Sequence, residues 1–133
     1  MEEAAKKVTS TGNNKILLTE RGTSFGYHNL VVDMRGLVIM SKIGYPVIYD
    51  ATHSVQLPGG DGQSSGGQPE FILPLAKAAL ATGVVSGVFI EVHPDPPAAL
   101  SDSKSQLALS DFRSVLDQLI QIHKVITEMR GND

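Results

Sequence analysis

Four polar side chains that could take part in chemistry stand just beyond apolar segments of the sequence: Arg21, His53, Glu91 and Asp102. A neutral histidine with two carboxylates is a donor set that suits Fe, Mn, Zn or Co. An arginine beside such a set can hold a phosphate or carboxylate through two parallel hydrogen bonds. Together these residue types indicate a metal-assisted reaction of a phosphorylated or carboxylated small molecule.

Ordinary structural roles are open to these polar residues and to the other histidines. Arg21 could form a surface ion pair at the end of a strand, and Asp50 could order its own loop through backbone hydrogen bonds. We expect His28 in solvent and His93 in a turn. His123 is expected to be half-buried at the edge of an apolar stripe.

The candidate residues depend on three apolar segments that predict buried strands. These segments are Lys15–Glu20, Pro46–Asp50 and Gly87–Glu91. Because amphipathic helices separate them, the strands are expected to form a parallel sheet with both faces covered. Ligands of such sheets bind at the carboxyl ends of the strands. Arg21, His53 and Glu91 should therefore lie at one end of the sheet.

Helices are predicted around and between these strands: 2–9, from about Asp33 to Gly44, from Pro69 to Gly83, and from an N-cap at Ser110 to Gly131. The segments 22–29 and 52–68 are predicted to be loops. The fold class is α/β with about three βα units. A complete β/α barrel takes ~250 residues, so this chain holds a small open sheet or about the second half of a barrel.

The composition of the 133-residue chain excludes several classes of protein. Hydrophobic residues make up 41% and charged residues 19%, which permits a globular core. The formal charge is −3 with no basic cluster, so no nucleic-acid or anionic-membrane partner is expected. Cysteine is absent, and no apolar run is long enough to span a bilayer. A cytoplasmic location is the default expectation.

One long block of sequence resembles a known enzyme family. Residues 19–35, TERGTSFGYHNLVVDMR, resemble 3-deoxy-D-manno-octulosonate 8-phosphate synthase. Further matching blocks follow in the same order at 49–58 (YDATHSVQLP), 65–67, 69–72, 89–96 (FIEVHPDP) and 99–102. The resemblance covers nearly the whole chain, and the first block is specific to this family.

The resemblance implies that residues 1–133 form a single segment, the C-terminal half of a β/α barrel. In TIM-barrel terms these are the family's strands 6 to 8. The family condenses phosphoenolpyruvate with D-arabinose 5-phosphate, releases phosphate, and supplies a precursor of bacterial lipopolysaccharide. It is usually a homotetramer. These properties are expectations for the present chain.

The resemblance also implies site roles, position by position. Arg21 matches an arginine that binds phosphoenolpyruvate, and Gln56 lies in the loop expected to touch the pentose phosphate. His53, Glu91 and Asp102 match the ligands of a divalent metal ion, and His53 and Asp102 are the catalytic candidates.

The glycine-rich stretch 59–67 matches a loop that closes over the family's site. It could cradle a phosphate with backbone N–H groups, but it lacks the Gly-Lys-Ser/Thr ending of a P-loop. Five glycines in nine residues predict a lid that is mobile without substrate. The segment 100–103 resembles the metal-dependent class. Metal dependence stays open, because the family position that distinguishes the two classes has no counterpart here.

Two other functions remain open. The related 3-deoxy-D-arabino-heptulosonate 7-phosphate synthases share the Glu-Arg-Gly, the strand-ending histidine and the Glu-Val-His-Pro. They usually lack the block at 25–33 and often follow the histidine with Ser-Gly-Gly, whereas Ser-Val-Gln-Leu-Pro follows His53. A half-barrel without catalytic activity is the third hypothesis. On any of these readings, residues 1–133 alone are expected to lack useful synthase activity.

Overall fold

The computed structural model describes residues 1–59 and 66–131. In chain order its elements are α1 (Glu2–Thr9), β1 (Leu18–Glu20), β2 (Thr23–Gly26), β3 (Asn29–Val31), α2 (Met34–Ser41), β4 (Val47–Asp50), β5 (Gln56–Leu57), β6 (Gly66–Gly67), α3 (Ile72–Ala81), β7 (Val85–Phe89), β8 (Val92–His93), β9 (Leu107–Ala108) and α4 (Leu109–Arg130). Among the described residues, no helix is both long and apolar enough to cross a membrane.

The centre of the fold is a three-stranded parallel sheet in the order β1-β4-β7. Its middle strand is the most enclosed, because Val47 and Tyr49 are fully buried between the helices. The core continues into α2 through Leu37, into α3 through Ile72 and into α4 through Leu119. The predicted α/β class with parallel strands is thereby confirmed. The prediction that both faces of the sheet are covered is not, because Thr19 of β1 and Ser86 of β7 are exposed.

The third strand begins and ends two residues earlier than the sequence predicts. It runs over Val85–Phe89 because Val47 pairs with Val85, with a register irregularity immediately afterwards. Glu91 was predicted to be the last residue of this strand, but it lies two residues beyond the end of the strand. The first strand is also shorter than predicted and starts only at Leu18.

The predicted loop 22–29 is wrong, since it contains most of the antiparallel hairpin β2–β3. Tyr27 and His28 form its turn with φ angles of 54° and 58°. Every residue of β2 is exposed. A strand without a buried face leaves no apolar alternation in the sequence, so the pattern could not reveal it. His28 is exposed as predicted, and its Nδ1 lies 2.9 Å from the carbonyl oxygen of Pro58.

The predicted loop 52–68 also contains short regular structure. His53–Val55 forms one turn of 3-10 helix, and the pair β5–β6 follows it. Residues 60–65 lie outside the described part, so the prediction of a mobile lid at 59–67 falls largely on residues that the structure does not describe.

The helices begin close to their predicted positions, with one wrong cap. Asp33 caps α2 by accepting a hydrogen bond from the N–H of Arg35 at 3.0 Å. A 3-10 turn at Pro69–Phe71 delays the start of α3. Ser110 is not the N-cap of α4, because β9 runs directly into that helix and leaves Ala108 at the cap position.

The packing of α4 only partly follows its predicted stripe. Val115 and Leu119 are buried against the core, and Gln118 accepts a 2.7 Å hydrogen bond from Lys77 of α3. His123 was predicted to be half-buried, but it is exposed. It lies one turn beyond Leu119 on the helix.

We expect Leu37→Ala to lower the free energy of unfolding by about 2–5 kcal/mol, because Leu37 is fully buried and its removal leaves a cavity. Leu17→Ala is the matched control. Leu17 is 64% exposed, and its loss should change stability by only about 0.5 kcal/mol. Urea unfolding followed by circular dichroism measures both. Equal effects of the two substitutions would contradict this placement of the core.

Candidate metal centre and anion site

The carboxyl ends of the three parallel strands place the candidate residues at one edge of the sheet. Arg21 directly follows β1, His53 begins the 3-10 turn after β4, and Glu91 follows β7. The prediction that these three residues share one end of the sheet is therefore confirmed. Asp102 joins them from the connection between β8 and β9.

The orientation of His53 is set by Asp50, the last residue of β4. The buried Asp50 carboxylate accepts a hydrogen bond from the His53 backbone N–H at 3.0 Å, and its second oxygen lies 2.7 Å from His53 Nδ1. A carboxylate can only accept, so Nδ1 is the nitrogen that carries the proton. Nε2 is therefore left to face the other candidate ligands. The His53 ring also stacks on Phe89, with 5.9 Å between ring centroids.

A buried tyrosine supports the turn that carries His53. The Tyr49 hydroxyl lies 2.7 Å from Ser54 Oγ, directly beneath the 3-10 turn. Burial raises the pKa of Tyr49 above its usual value, so this hydroxyl stays protonated. The turn is therefore attached to the core by a neutral hydrogen bond.

Glu91 reaches the same point from β7 and is held on two sides. Its Oε2 lies 3.5 Å from His53 Nε2, and its Oε1 accepts a 3.0 Å hydrogen bond from Gln106. Its backbone N–H donates to the buried hydroxyl of Thr52 at 3.1 Å. The side chain therefore presents one carboxylate oxygen to the imidazole while the other is occupied.

Asp102 depends on a tight turn instead of a strand. Its φ is 52°, and its carbonyl oxygen accepts hydrogen bonds from the N–H groups of Ser105 and Gln106. This turn lies against β6, because a Cβ added at Gly67 would come within 2.3 Å of the Lys104 carbonyl oxygen. The side chain is fixed by Gln56, whose Nε2 donates to Asp102 Oδ1 at 2.5 Å.

His53, Glu91 and Asp102 fit a divalent metal ion. Each offers one ligand atom, and these atoms all lie within 4.8 Å of one another. Ligands at 2.0–2.3 Å from one ion are separated by at most about 4.6 Å, so small side-chain movements suffice. One imidazole nitrogen and two carboxylate oxygens form a set that binds Fe, Mn, Zn or Co.

Arg21 is connected to this cluster through Gln56. Arg21 Nη2 donates a 2.9 Å hydrogen bond to Gln56 Oε1, while the opposite end of the same amide contacts Asp102. The turn that carries Arg21 is held by Glu20, whose carboxylate accepts from the N–H of Gly22 at 2.5 Å. Arg21 is an exposed residue, and its bond to Gln56 uses one of five guanidinium N–H donors, so the others can meet an anion.

The sequence identified the central residues and missed their supports. The prediction that Asp50 orders its own loop through backbone hydrogen bonds is confirmed. The hydrogen bond between Asp50 and the His53 ring was not predicted. Thr52 and Gln106 were not singled out, because their contacts depend on loops meeting in space. His93 was predicted in a turn, but it ends strand β8 and pairs with Ala108 of β9. Its Nδ1 accepts a 3.0 Å hydrogen bond from the N–H of Asp95.

The chain is similar to proteins of a known family. The sequence profile of the DAHP synthetase I family matches residues 1–128, and the chain belongs to that family. It is 56% identical over 132 residues to the 2-dehydro-3-deoxyphosphooctonate aldolase of Syntrophotalea carbinolica, which covers 99% of this chain and 46% of that protein. It is 55% identical over 126 residues to the protein of the same name from Geobacter sulfurreducens, covering 95% and 46%.

A solved structure gives the same fold. The phospho-2-dehydro-3-deoxyheptonate aldolase (DAHP synthase) of Thermotoga maritima matches with a TM-score of 0.77 at 29% identity, over 93% of this chain and 34% of that one. The chain spans about half the length of the curated relatives it matches. These matches confirm the family resemblance seen in the sequence.

We expect Gly67→Ala to weaken divalent-metal binding by about 10–100-fold, because the new Cβ must displace the 104–105 backbone that supports Asp102. Isothermal titration with Mn²⁺ measures the change. Gly36→Ala is the control, since nothing lies within 4 Å of a Cβ at that helical position. Unchanged metal binding in Gly67→Ala would show that Asp102 does not depend on this contact.

Proposed function

We propose that the protein represented by this chain condenses phosphoenolpyruvate with D-arabinose 5-phosphate to form 3-deoxy-D-manno-octulosonate 8-phosphate and phosphate. The observation that carries the proposal is the chain of contacts from the exposed Arg21 through Gln56 to the His53, Glu91 and Asp102 cluster. It brings an anion-binding group and a candidate metal centre to one edge of the sheet. The names of the two relatives, both 2-dehydro-3-deoxyphosphooctonate aldolases, support an eight-carbon product.

Residues 1–133 are proposed to supply the C-terminal half of a β/α barrel, equivalent to family strands 6 to 8. The parallel order β1-β4-β7 supports this assignment, since successive strands of a barrel are neighbours. Within the described residues, β1 and β7 each have one side without a strand partner. Strands from the rest of the barrel would pair with these edges. We propose a cytoplasmic homotetramer, as the family resemblance implies.

Arg21 is proposed to bind the anionic groups of phosphoenolpyruvate. A guanidinium has five N–H donors, and only one is used in the bond to Gln56. The remaining donors match the paired oxygens of a carboxylate or phosphate. Gln56 lies in the loop that follows His53, and this loop is proposed to contact the pentose phosphate.

His53, Glu91 and Asp102 are proposed to hold a divalent Fe, Mn, Zn or Co ion. When bound, such an ion would polarise the pentose aldehyde or activate a water molecule. Asp50 keeps the proton of His53 on Nδ1, so Nε2 can act as a ligand. His53 and Asp102 are the proposed catalytic residues, because both belong to the candidate metal cluster and Gln56 connects Asp102 to Arg21.

The second candidate is the heptulosonate synthase reaction, which uses a tetrose phosphate. The structural match to the Thermotoga maritima enzyme favours it at the level of the fold. The residues around the site favour the octulosonate reaction, because His53 is followed by Ser-Val-Gln-Leu-Pro and the block at 25–33 is present.

A chimera tests the reaction and the substrate. This chain replaces the matching 46% of the Syntrophotalea carbinolica relative, and the product is supplied with phosphoenolpyruvate and each sugar phosphate in turn. We expect phosphate release coupled to consumption of arabinose 5-phosphate and not of the tetrose phosphate. His53→Ala in the chimera should lower the rate by ~100-fold or more.

Two controls accompany the chimera. The isolated 133-residue chain should show no useful turnover, because positioning two phosphorylated substrates contributes about 7–11 kcal/mol and requires the missing contacts. A chimera that consumes only the tetrose phosphate would replace the proposal with the second candidate. A folded chimera inactive with both sugars would favour the non-catalytic half-barrel.

A further inference from the structure

We propose that Gln56 is a positioning residue that couples the state of Arg21 to metal binding at Asp102. The inference rests on the proposed metal centre, but it concerns a role different from contact with the pentose. Gln56 touches both groups through one planar amide: Oε1 accepts from Arg21 at 2.9 Å, and Nε2 donates to Asp102 at 2.5 Å. No other described hydrogen bond joins Arg21 to a candidate ligand.

The chemistry of the two partners fixes the direction of the amide. A guanidinium has only donors, so the oxygen of Gln56 must face Arg21. An ionised carboxylate has only acceptors, so the nitrogen must face Asp102. A flipped amide would place donor against donor and acceptor against acceptor. The side chain therefore holds Asp102 through Nε2 while Arg21 holds Oε1.

Burial makes this connection stiff. Gln56 is only 6% exposed, and its Nε2 also lies 3.5 Å from the fully buried Ser105 hydroxyl. Its backbone N–H donates to the carbonyl oxygen of His53, and its strand β5 pairs with Gly67. The backbone of Gln56 is thus attached to the candidate ligand His53 on one side and to Gly67, which packs beside the Asp102 turn, on the other. A movement of the amide would therefore disturb its hydrogen bond to Asp102.

The proposed coupling and simple electrostatics predict opposite effects of removing Arg21 on metal affinity. Arg21 is a cation near a cation-binding cluster, so its removal should strengthen metal binding if only charge matters. If Arg21 acts by holding Gln56, its removal releases the amide and weakens metal binding. The effect of removing Arg21 should therefore depend on whether Gln56 is present.

A double-mutant cycle on the 133-residue chain tests this dependence. Co²⁺ affinity is measured by visible absorbance for the unchanged chain, Gln56→Met, Arg21→Met and the double variant. Methionine keeps the length of both side chains and removes their polar groups. Gln118→Met is the matched control, because Gln118 also accepts from a cation, Lys77, but lies on α4. Circular dichroism checks that each variant is folded.

We expect Gln56→Met to weaken Co²⁺ binding by about 10–100-fold, the usual effect of losing the support of a ligand. Arg21→Met should weaken it about 3-fold or more in the unchanged background, and should leave it unchanged or strengthen it in the Gln56→Met background. Adding sulfate, as an anion for Arg21, should raise Co²⁺ affinity only where Gln56 is present. Gln118→Met should have no effect.

Equal effects of Arg21→Met in both backgrounds would overturn the coupling. Loss of Co²⁺ binding in Gln118→Met would show that the variants lose metal through general instability, and this result would also overturn the coupling. A chain that binds no Co²⁺ at all would overturn this inference together with the proposed metal centre. Coupling in the cycle with an inactive chimera would overturn the proposed reaction and leave the role of Gln56 standing.

Discussion

The parallel alignment of β1, β4 and β7 is the constraint on which the site depends. Parallel strands end at the same edge of a sheet, so the three connections that follow them start side by side. Arg21, His53 and Glu91 are distant in sequence and lie at the same edge of the sheet for this reason. The enclosed middle strand, with Val47 and Tyr49 fully buried, holds that alignment in place.

Buried polar side chains convert this proximity into a defined geometry. Asp50 orients His53, Gln106 holds one oxygen of Glu91, and Gln56 holds Asp102. All three supports are less than one-tenth exposed. In such surroundings a polar group without a partner costs about 1–3 kcal/mol, which favours a single satisfied arrangement. The buried Oε1 of Gln106 has no hydrogen-bond partner in the described part of the chain, so this oxygen can accept one further hydrogen bond.

Asp102 lies in a loop, and contacts with other loops fix its position. Its backbone adopts a positive φ, which is uncommon for a non-glycine residue and which Asp tolerates better than most. Two hydrogen bonds to its carbonyl oxygen and the close packing of Gly67 on the 104–105 backbone stabilise this turn. The third candidate ligand is therefore placed by contacts between two loops.

The sequence alone was sufficient for the α/β class, the three buried strands, and the candidates Arg21, His53, Glu91 and Asp102. Apolar segments separated by amphipathic helices report burial directly, and the polar residues stand where such strands end. The sequence pattern did not reveal the hairpin β2–β3, because every residue of β2 is exposed and the strand shows no apolar alternation. Only the tertiary structure could show the supports from Gln106, Thr52 and Gln56. Each acts on a residue at least 15 positions away, and such contacts exist only once the loops have been brought together.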